Sequence, residues 1–552
     1  MKKFIIVSTA IAIGVLVGFI IQPAISGDNV YQEVRKFNNV LNYAYKNYVE
    51  EVDTHAMVEA AIKGMLNELD VHSVYIDTKD MKKVKEDFQG SFEGIGVQFD
   101  VINDTITIVA PIVGGPSEGL GILSGDKIIK IDGEKAVGLS RDEVPKKLKG
   151  PKGTKVEVDI KRGNEKELLN FVITRDKIPL YSVDGKFIID GTDIGVIQIN
   201  RFSSTTYTEL MDALKELKGQ GMQKLVLDLR GNPGGFLRKA FEMADEFLAA
   251  GDTIVYTKGR RPNLSESFEA TRRGSFKDIP LIVMVNAGSA SASEIVSGAV
   301  QDLDRGLVVG TTSYGKGLVQ RQETLSDGSG FRITIAKYYT PSGRCIQRPY
   351  KDKDAYRHLV GRLDLEEGSY IQDPIAKIKR QIDSVNKDLK EDDEKYIHFE
   401  KLELYETKSG RTVFGGGGIT PDYIVKMDTI NMLSRKIRRK NIMFEFSNDY
   451  LTNAGKEIKS KYENDFTKFY REFEVTEKCL SAFKELAVEK GVEWNDEQFE
   501  EDKDYLKTSI KVTFARIMWD SNKATQVFSS IDNQLLKAIE LFPEAERIAQ
   551  LN

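Results

Sequence analysis

Along the chain the spacing of hydrophobic positions changes in blocks, and each block predicts a different kind of structure. Between residues 30 and 90, Val34, Phe37, Val40, Leu41, Ala44, Tyr45 and Tyr48 recur at helical spacing. That is the mark of an amphipathic helix whose stripe faces a core or a partner. From Ser91 the pattern changes to short strands and glycine turns. Gly94-Ile95-Gly96-Val97 opens an apolar strand, Ile106, Ile108 and Val109 form the next, and Lys155 to Lys161 alternates as a half-buried strand does. Arg141 to Leu148 reads as a short helix between them. Residues 180–345 alternate strands (Ile194–Ile199, Leu225–Leu229, Leu281–Val285) with helices (Thr206–Leu217, Phe236–Ala249), a rhythm that predicts an α/β core with parallel pairs. From Asn431 onward Lys, Glu, Phe and Leu dominate with few glycines or prolines, which predicts a helical domain. Its aromatic stripe, Phe466, Phe469, Tyr470 and Phe473, fits core packing or a docking surface for another subunit or adaptor.

The amino terminus breaks these patterns. Lys2-Lys3 precede an apolar run from Phe4 to Ile21, and Ala24-Ile25-Ser26 resembles a small-residue cleavage site. The run is long for a signal peptide and just long enough to span a bilayer. Export is therefore expected, with the mature protein periplasmic or anchored to the cell membrane. The 552 residues exceed one ordinary domain. A net charge of −5 with acids and bases mixed gives no reason to expect nucleic acid. Cys345 and Cys479 are the only cysteines and read as two free thiols, too few for a disulfide framework or zinc cluster.

The stretch with the most chemistry lies between Asn286 and Gln320. The apolar strand Leu281–Val285 leads into a run of small residues, Ala287 to Ser293, and Glu294-Ile295-Val296 then begins a helical pattern. Such a turn holds a hydroxyl at the tip of a sheet and leaves the first helical amides open to an anion. Lys316 follows between Gly315 and Gly317, with Gln320 four residues on; in a helix that spacing shares one face. A serine hydroxyl becomes nucleophilic when a base takes its proton, and a neutral lysine serves. Keeping a lysine neutral near pH 7 costs about 4 kcal/mol, which desolvation in a dry site supplies. Ser289, Ser291 and Ser293 are all possible nucleophiles on chemistry alone.

This stretch resembles the active-site region of the carboxyl-terminal processing, or tail-specific, proteases. In that family a serine run followed by Glu precedes Lys by twenty-five positions, and Gln follows four beyond. The resemblance selects Ser291 as nucleophile, Lys316 as general base and Gln320 as its orienter. Asp228-Leu-Arg-Gly-Asn-Pro-Gly-Gly235, Ala336-Lys-Tyr-Tyr-Thr-Pro-Ser-Gly343 and Gly418-Ile-Thr-Pro-Asp422 extend the match. By the same analogy Ala292 and the Gly234–Gly235 turn donate to the oxyanion, while Asp228 and Arg230 read as structural. Gly64-Met-Leu-Asn-Glu-Leu-Asp-Val-His-Ser-Val-Tyr75 resembles the family's N-terminal motif, with His72 in a capping or packing role. Residues 91–175 resemble a PDZ domain, which captures a peptide C-terminus by adding it as a strand. Gly94, Ile95, Gly96 and Val97 are then the carboxylate-binding loop, and Val144 and Leu148 line its apolar pocket.

The resemblance implies a multidomain α/β protein: a crotonase/Clp-like peptidase core, an inserted PDZ domain, and helical N- and C-terminal regions. The expected divisions are 1–26 (signal peptide or anchor), 27–90 (helical), 91–175 (PDZ), 176–349 (peptidase core), 350–404 (charged insertion), 405–428 (return to the core) and 429–552 (helical domain). The implied activity is serine endopeptidase cleavage of proteins with free, apolar C-termini. No metal or organic cofactor is implied, and a homo-oligomer or adaptor through the C-terminal domain is compatible with the pattern. The rival reading is a non-catalytic PDZ scaffold or chaperone that retains a protease fold. A penicillin-recognising enzyme is a third reading, from Ser313-Tyr-Gly-Lys316, Ser384-Val-Asn386 and Lys408-Ser-Gly410. It is weaker because Ser313 has no helix start and Ser384 sits in a charged, solvated stretch.

Overall fold

The computed structural model describes residues 30–163, 165–348, 365–387, 390, 399 and 402–551. The apolar leader 1–26 and much of the charged insertion 350–404 lie outside the described residues. The chain divides into two compact units, residues 1–75 and 76–552. In the first, helices Val30–Asn47 and Thr54–Asn67 form as the periodicity predicts. Asp53 caps the second by accepting from the Ala56 amide at 3.0 Å, a partner that first-turn amides otherwise lack. No residue of Val30–Asn47 is buried, so the Val34–Tyr48 stripe is not a core face. His72 lies in a turn and donates its own amide to Asp70. Among the described residues no helix is long and apolar enough to cross a membrane.

The second unit begins with helix Thr78–Gln89, stopped by Gly90. Strand Ser91–Gly94 then pairs antiparallel with Asp176–Pro179, so the chain enters and leaves the β-rich domain through a two-stranded stem. Between the two arms lies a six-stranded antiparallel sheet in the order Val97–Ile102, Thr105–Pro111, Lys127–Ile131, Lys155–Lys161, Leu169–Thr174, with the short strand Glu134–Lys135 also paired to Lys127–Ile131. Its inward positions, among them Ile106, Ile128, Val158 and Ile160, close a core of its own.

The α/β core follows as β1 (Val183–Ile188), β2 (Ile194–Ile199), α1 (Thr206–Gly219), β3 (Lys224–Asp228), α2 (Leu237–Asp245) and β4 (Thr253–Gly259). After these come β5 (Leu281–Val285), α3 (Ala292–Asp302), β6 (Leu307–Gly310), β7 (Leu318–Thr324), β8 (Gly330–Tyr339) and β9 (Tyr423–Ile424). The main sheet runs β1-β2-β3-β5-β6-β9 with Gly368–Ser369 at its edge. β2, β3, β5, β6 and β9 are parallel neighbours, and β1 is antiparallel. A second sheet joins β4, β7 and β8 in antiparallel pairs. All five residues of β5 are buried, because both sheet faces are covered. Leu281, Val283 and Val285 pack among α1, α2 and α3, and Ile282 and Met284 face the opposite way. A doubly covered parallel strand is apolar throughout, which is why the Leu281–Val285 run lacks alternation.

The C-terminal region divides in a way its composition does not reveal. Helices from Met432 to Met518 build a separate core in which Phe469 and Phe473 are buried and Phe466 and Tyr470 pack alongside, so the aromatic stripe is internal. Helices Asn533–Glu540 and Phe542–Ile548 instead supply Leu535, Ala538, Phe542, Ala545 and Ile548 to the second face of the main sheet. Arg230 ties this lid on, meeting Asp228 at 2.8 Å and Asp532 at 2.6 Å. The described part of the insertion also packs: Ile378 and Ile382 of helix Pro374–Asn386 are buried with Phe414 and Ile424. Its charges occupy the other face.

The end of α3 is fixed by a buried ion pair, Arg344 to Asp302 at 2.7 Å, both side chains wholly enclosed. Truncating one member of such a pair leaves the other charge buried, at a cost of about 3–5 kcal/mol. Arg344→Ala should therefore lower stability by about that amount in urea unfolding followed by circular dichroism. Arg344→Met combined with Asp302→Leu should lose much less.

Candidate active site

β5 ends at Val285, and the turn that follows returns to the sheet through Asn286, whose side-chain oxygen accepts from the amides of Gly231 and Gly288 at 2.9 Å each. The three serines of the run then part company. Ser289 is buried, donating to the Leu229 carbonyl at 2.8 Å and accepting from the Asn286 amide. Ser293 is buried too and donates to the Asn232 carbonyl at 2.9 Å. Ser291 alone of the three lines a cavity, one of about 950 Å³. It sits immediately before α3 with φ 55 and ψ −109, outside the regions open to a residue with a Cβ. Such a conformation costs on the order of 1–3 kcal/mol and persists only where the surroundings impose it.

Glu294 imposes it. Fully buried on the first turn of α3, its carboxylate accepts from the amides of Ser291 at 2.8 Å, Gly315 at 2.6 Å and Lys316 at 2.9 Å, and from the Ser313 hydroxyl. Burial pushes its pKa up and the four donors oppose that shift. With every contact an accepted bond, the geometry is that of an ionised carboxylate. Ser313 is itself buried, and its hydroxyl also accepts from the Ile419 amide at 2.6 Å. It is therefore a clamp between loops and has no access to substrate. Ser384 is exposed, and Lys408 is engaged with Asp252 at 2.9 Å, so the penicillin-recognising pattern does not assemble.

Lys316 and Gln320 do meet, with Nζ donating to Oε1 at 2.8 Å. They do not meet on a helix, as the four-residue spacing suggested, because β7 begins at Leu318. The spacing works here because residues an even number apart also share a face of an extended chain. Gly315 makes the approach possible: at φ 84, a Cβ there would lie 2.6 Å from the Arg348 side chain. Tyr338 on β8 completes the frame. Its buried hydroxyl lies 3.1 Å from the Ser291 carbonyl and 2.6 Å from that of Lys316.

The oxyanion donors need one correction. Gly234 lines the cavity, but its amide donates to Asn232 Oδ1 at 2.9 Å and is therefore committed. Gly235 also lines the cavity, and its amide takes no part in the bridge to Phe202, which is made by Phe202 N to Gly234 O and Phe236 N to Phe202 O. A Cβ at Gly235 would fall 2.0 Å from the Phe202 carbonyl oxygen, so only glycine brings the chain this close. The Ala292 amide stands at the first position of α3, where no intrahelical acceptor exists.

In the β-rich domain Gly94, Ile95 and Gly96 are buried and Val97 is half-buried. Val144 and Leu148, expected to line the domain's apolar pocket, are 0% and 4% exposed and pack within the domain core. A C-terminal side chain entering there has to displace that packing.

The profile described as Peptidase family S41 matches residues 193–356, and that described as PDZ domain matches 94–173. The Activating protease CtpB N-terminal domain profile matches 22–80, and a family of unknown function, DUF8443, matches 433–520. The carboxy-terminal-processing protease of Bartonella bacilliformis is 38% identical over 323 residues, covering 58% of this chain and 74% of that one. This chain belongs to the carboxy-terminal processing proteases. CtpA of Bacillus subtilis, a carboxy-terminal processing protease, is 34% identical over 354 residues, 62% of this chain and 74% of its own. Among solved structures, the photosystem II D1 C-terminal processing protease is 30% identical over 56% of this chain and 83% of its own, with a TM-score of 0.33. The family makes this chain a peptidase with a PDZ domain.

Sequence reasoning missed three supporting side chains: Glu294, Tyr338 and Asn232. Glu294 had a legible signal, since Ser291-x-x-Glu294 has the spacing of a capping box. Tyr338 and Asn232 lie within quoted motifs but act through tertiary contacts that no local pattern displays. Tyr338→Phe deletes one buried hydroxyl that reaches two carbonyls, worth about 1–3 kcal/mol. Peptide cleavage should fall about fivefold or more while circular dichroism stays native. Unchanged kcat would remove Tyr338 from the frame.

Proposed function

We propose that this chain is an exported serine endopeptidase that binds the C-termini of protein substrates through its PDZ domain and cleaves with Ser291 and Lys316. The observation that carries the reading is the convergence of Ser291, Lys316, Gln320 and Gly235 on one cavity. Neutral Lys316 takes the proton of Ser291 Oγ as the oxygen attacks the scissile carbonyl. The amides of Ala292 and Gly235 receive the negative charge that develops on the carbonyl oxygen. Lys316 then gives its proton to the leaving amine, and the acyl-enzyme forms. Water attacks the ester next, with Lys316 again accepting a proton and returning it to Ser291. Gln320, by accepting from Nζ, aims the lone pair of the neutral amine. Export is supported by the apolar run Phe4–Ile21 behind Lys2-Lys3. Capture of a C-terminus is supported by the PDZ match and the Gly94–Val97 loop.

The test is cleavage of an unfolded protein with an apolar C-terminus by protein lacking residues 1–26. Ser291→Ala and Lys316→Ala should reduce cleavage to background, and Gln320→Ala should lower kcat about tenfold. Cleavage that survives Ser291→Ala overturns the mechanism, and a wild type that cleaves nothing favours the scaffold reading. Because the base must be unprotonated, kcat/KM should rise with pH and then level. Amidating the substrate C-terminus should raise KM; an unchanged KM rejects C-terminal capture.

A further inference from the structure

We infer that the cleft carries, beside Ser291 and Lys316, a subsite for an acidic side chain of the substrate, with Arg332 as its cation. The inference rests on the peptidase reading of the cleft and adds a substrate class to it. On β7, Gln320 and Gln322 are two residues apart and so share a face. Gln320 accepts from Lys316, and Gln322 stands opposite Arg332 of β8 in the antiparallel register. Gln322 Oε1 accepts from Arg332 Nη2 at 2.8 Å. All four side chains line the cavity that holds Ser291. Arg332 therefore lies on the same side as the base, about 7 Å further along the strand.

Its electrostatic setting is incomplete. Arg332 is half-buried, with its guanidinium carbon 5.9 Å from the centre of the Phe88 ring. Burial pulls its pKa below the usual arginine value. A guanidinium has five N–H donors; the acceptor it finds is the Gln322 amide, and among the described residues no carboxylate pairs with it. Arg230, Arg344 and Arg411, by contrast, each meet a carboxylate within 2.8 Å. Lys85, Arg238 and Arg321 also line the cleft. Among the described residues that line it the only acid is Asp87, which faces Arg201 at 3.7 Å. A carboxylate arriving with the substrate satisfies Arg332 by the paired N–H···O geometry that arginine favours. For a substrate lying extended beside β7, 7 Å is about two residues. The acidic residue is thus expected at one position on one side of the scissile bond.

The test uses peptides with one shared C-terminus, so that capture by the PDZ domain is the same for each, carrying Glu, Gln or Leu at successive positions. Wild type should cleave the best Glu peptide with kcat/KM about tenfold or more above its Gln counterpart. Arg332→Gln should bring the two to parity, and Arg332→Glu should favour Lys at that position. Equal cleavage of Glu and Gln peptides by wild type, or a Glu preference that survives Arg332→Gln, overturns the subsite. Fluorescence anisotropy of the same peptides on Ser291→Ala protein separates this inference from the hydrolytic reading. Glu-selective binding lost in Arg332→Gln, with no cleavage by wild type, keeps the subsite and sinks the hydrolysis. Equal binding of the Glu and Gln peptides sinks the subsite.

Discussion

The Glu294 carboxylate, buried on the first turn of α3, joins the loop that carries Ser291 to the loop that carries Lys316. It takes an amide from each, along with the Gly315 amide and the Ser313 hydroxyl. A buried carboxylate with no partners would cost several kcal/mol, so the two loops cannot separate without exposing that cost. The strained backbone at Ser291 is held by the same contact. Tyr338 fastens the pair from the other side, its hydroxyl donating to the Lys316 carbonyl at 2.6 Å and lying 3.1 Å from that of Ser291. Ser291 and Lys316 are thus positioned through their main chains, and both line the one cavity.

Outside this frame the motifs divide between chemistry and support. Asp422 of the Gly418–Asp422 stretch accepts from the Val308 amide at 2.8 Å and from Gln301 and Arg411. Arg344, next to Gly343, neutralises Asp302 at the far end of α3. The helix that presents Ser291 is therefore pinned at both ends by buried charge. Helix Thr78–Gln89 supplies part of the cleft wall and runs through Gly90 into the stem of the β-rich domain. The wall of the cleft and the peptide-binding module are consecutive in the chain.

Much of the architecture was legible because local pattern and tertiary role coincide. The apolar run Leu281–Val285 is a doubly buried strand, the 30–90 and 431–552 blocks are helical, and the α/β alternation yields a largely parallel sheet. Where local pattern is neutral, reading failed. Lys316 and Gln320 share a face whether the backbone is helical or extended, so their spacing could not choose between the two. The helices at 533–548 have ordinary composition, and nothing local says that they cover the peptidase sheet while their neighbours form a separate core. The commitment of the Gly234 amide to Asn232 depends on a side chain two residues away turning back on its own loop. Of the three serines, only tertiary burial distinguishes Ser291 without reference to a family. Arg332 was invisible because its meaning lies in the absence of a carboxylate across two strands.

The central claim, that Ser291 is a nucleophile activated by Lys316, is tested most directly by covalent labelling with a peptidyl sulfonyl fluoride. Peptide mapping by mass spectrometry would locate the adduct, and the labelling rate would be followed against pH. The account predicts an adduct on Ser291 alone, forming faster as pH rises, and no adduct in Lys316→Ala. An adduct on Ser289, Ser293 or Ser313, or labelling of Ser291 at an unchanged rate in Lys316→Ala, would contradict it.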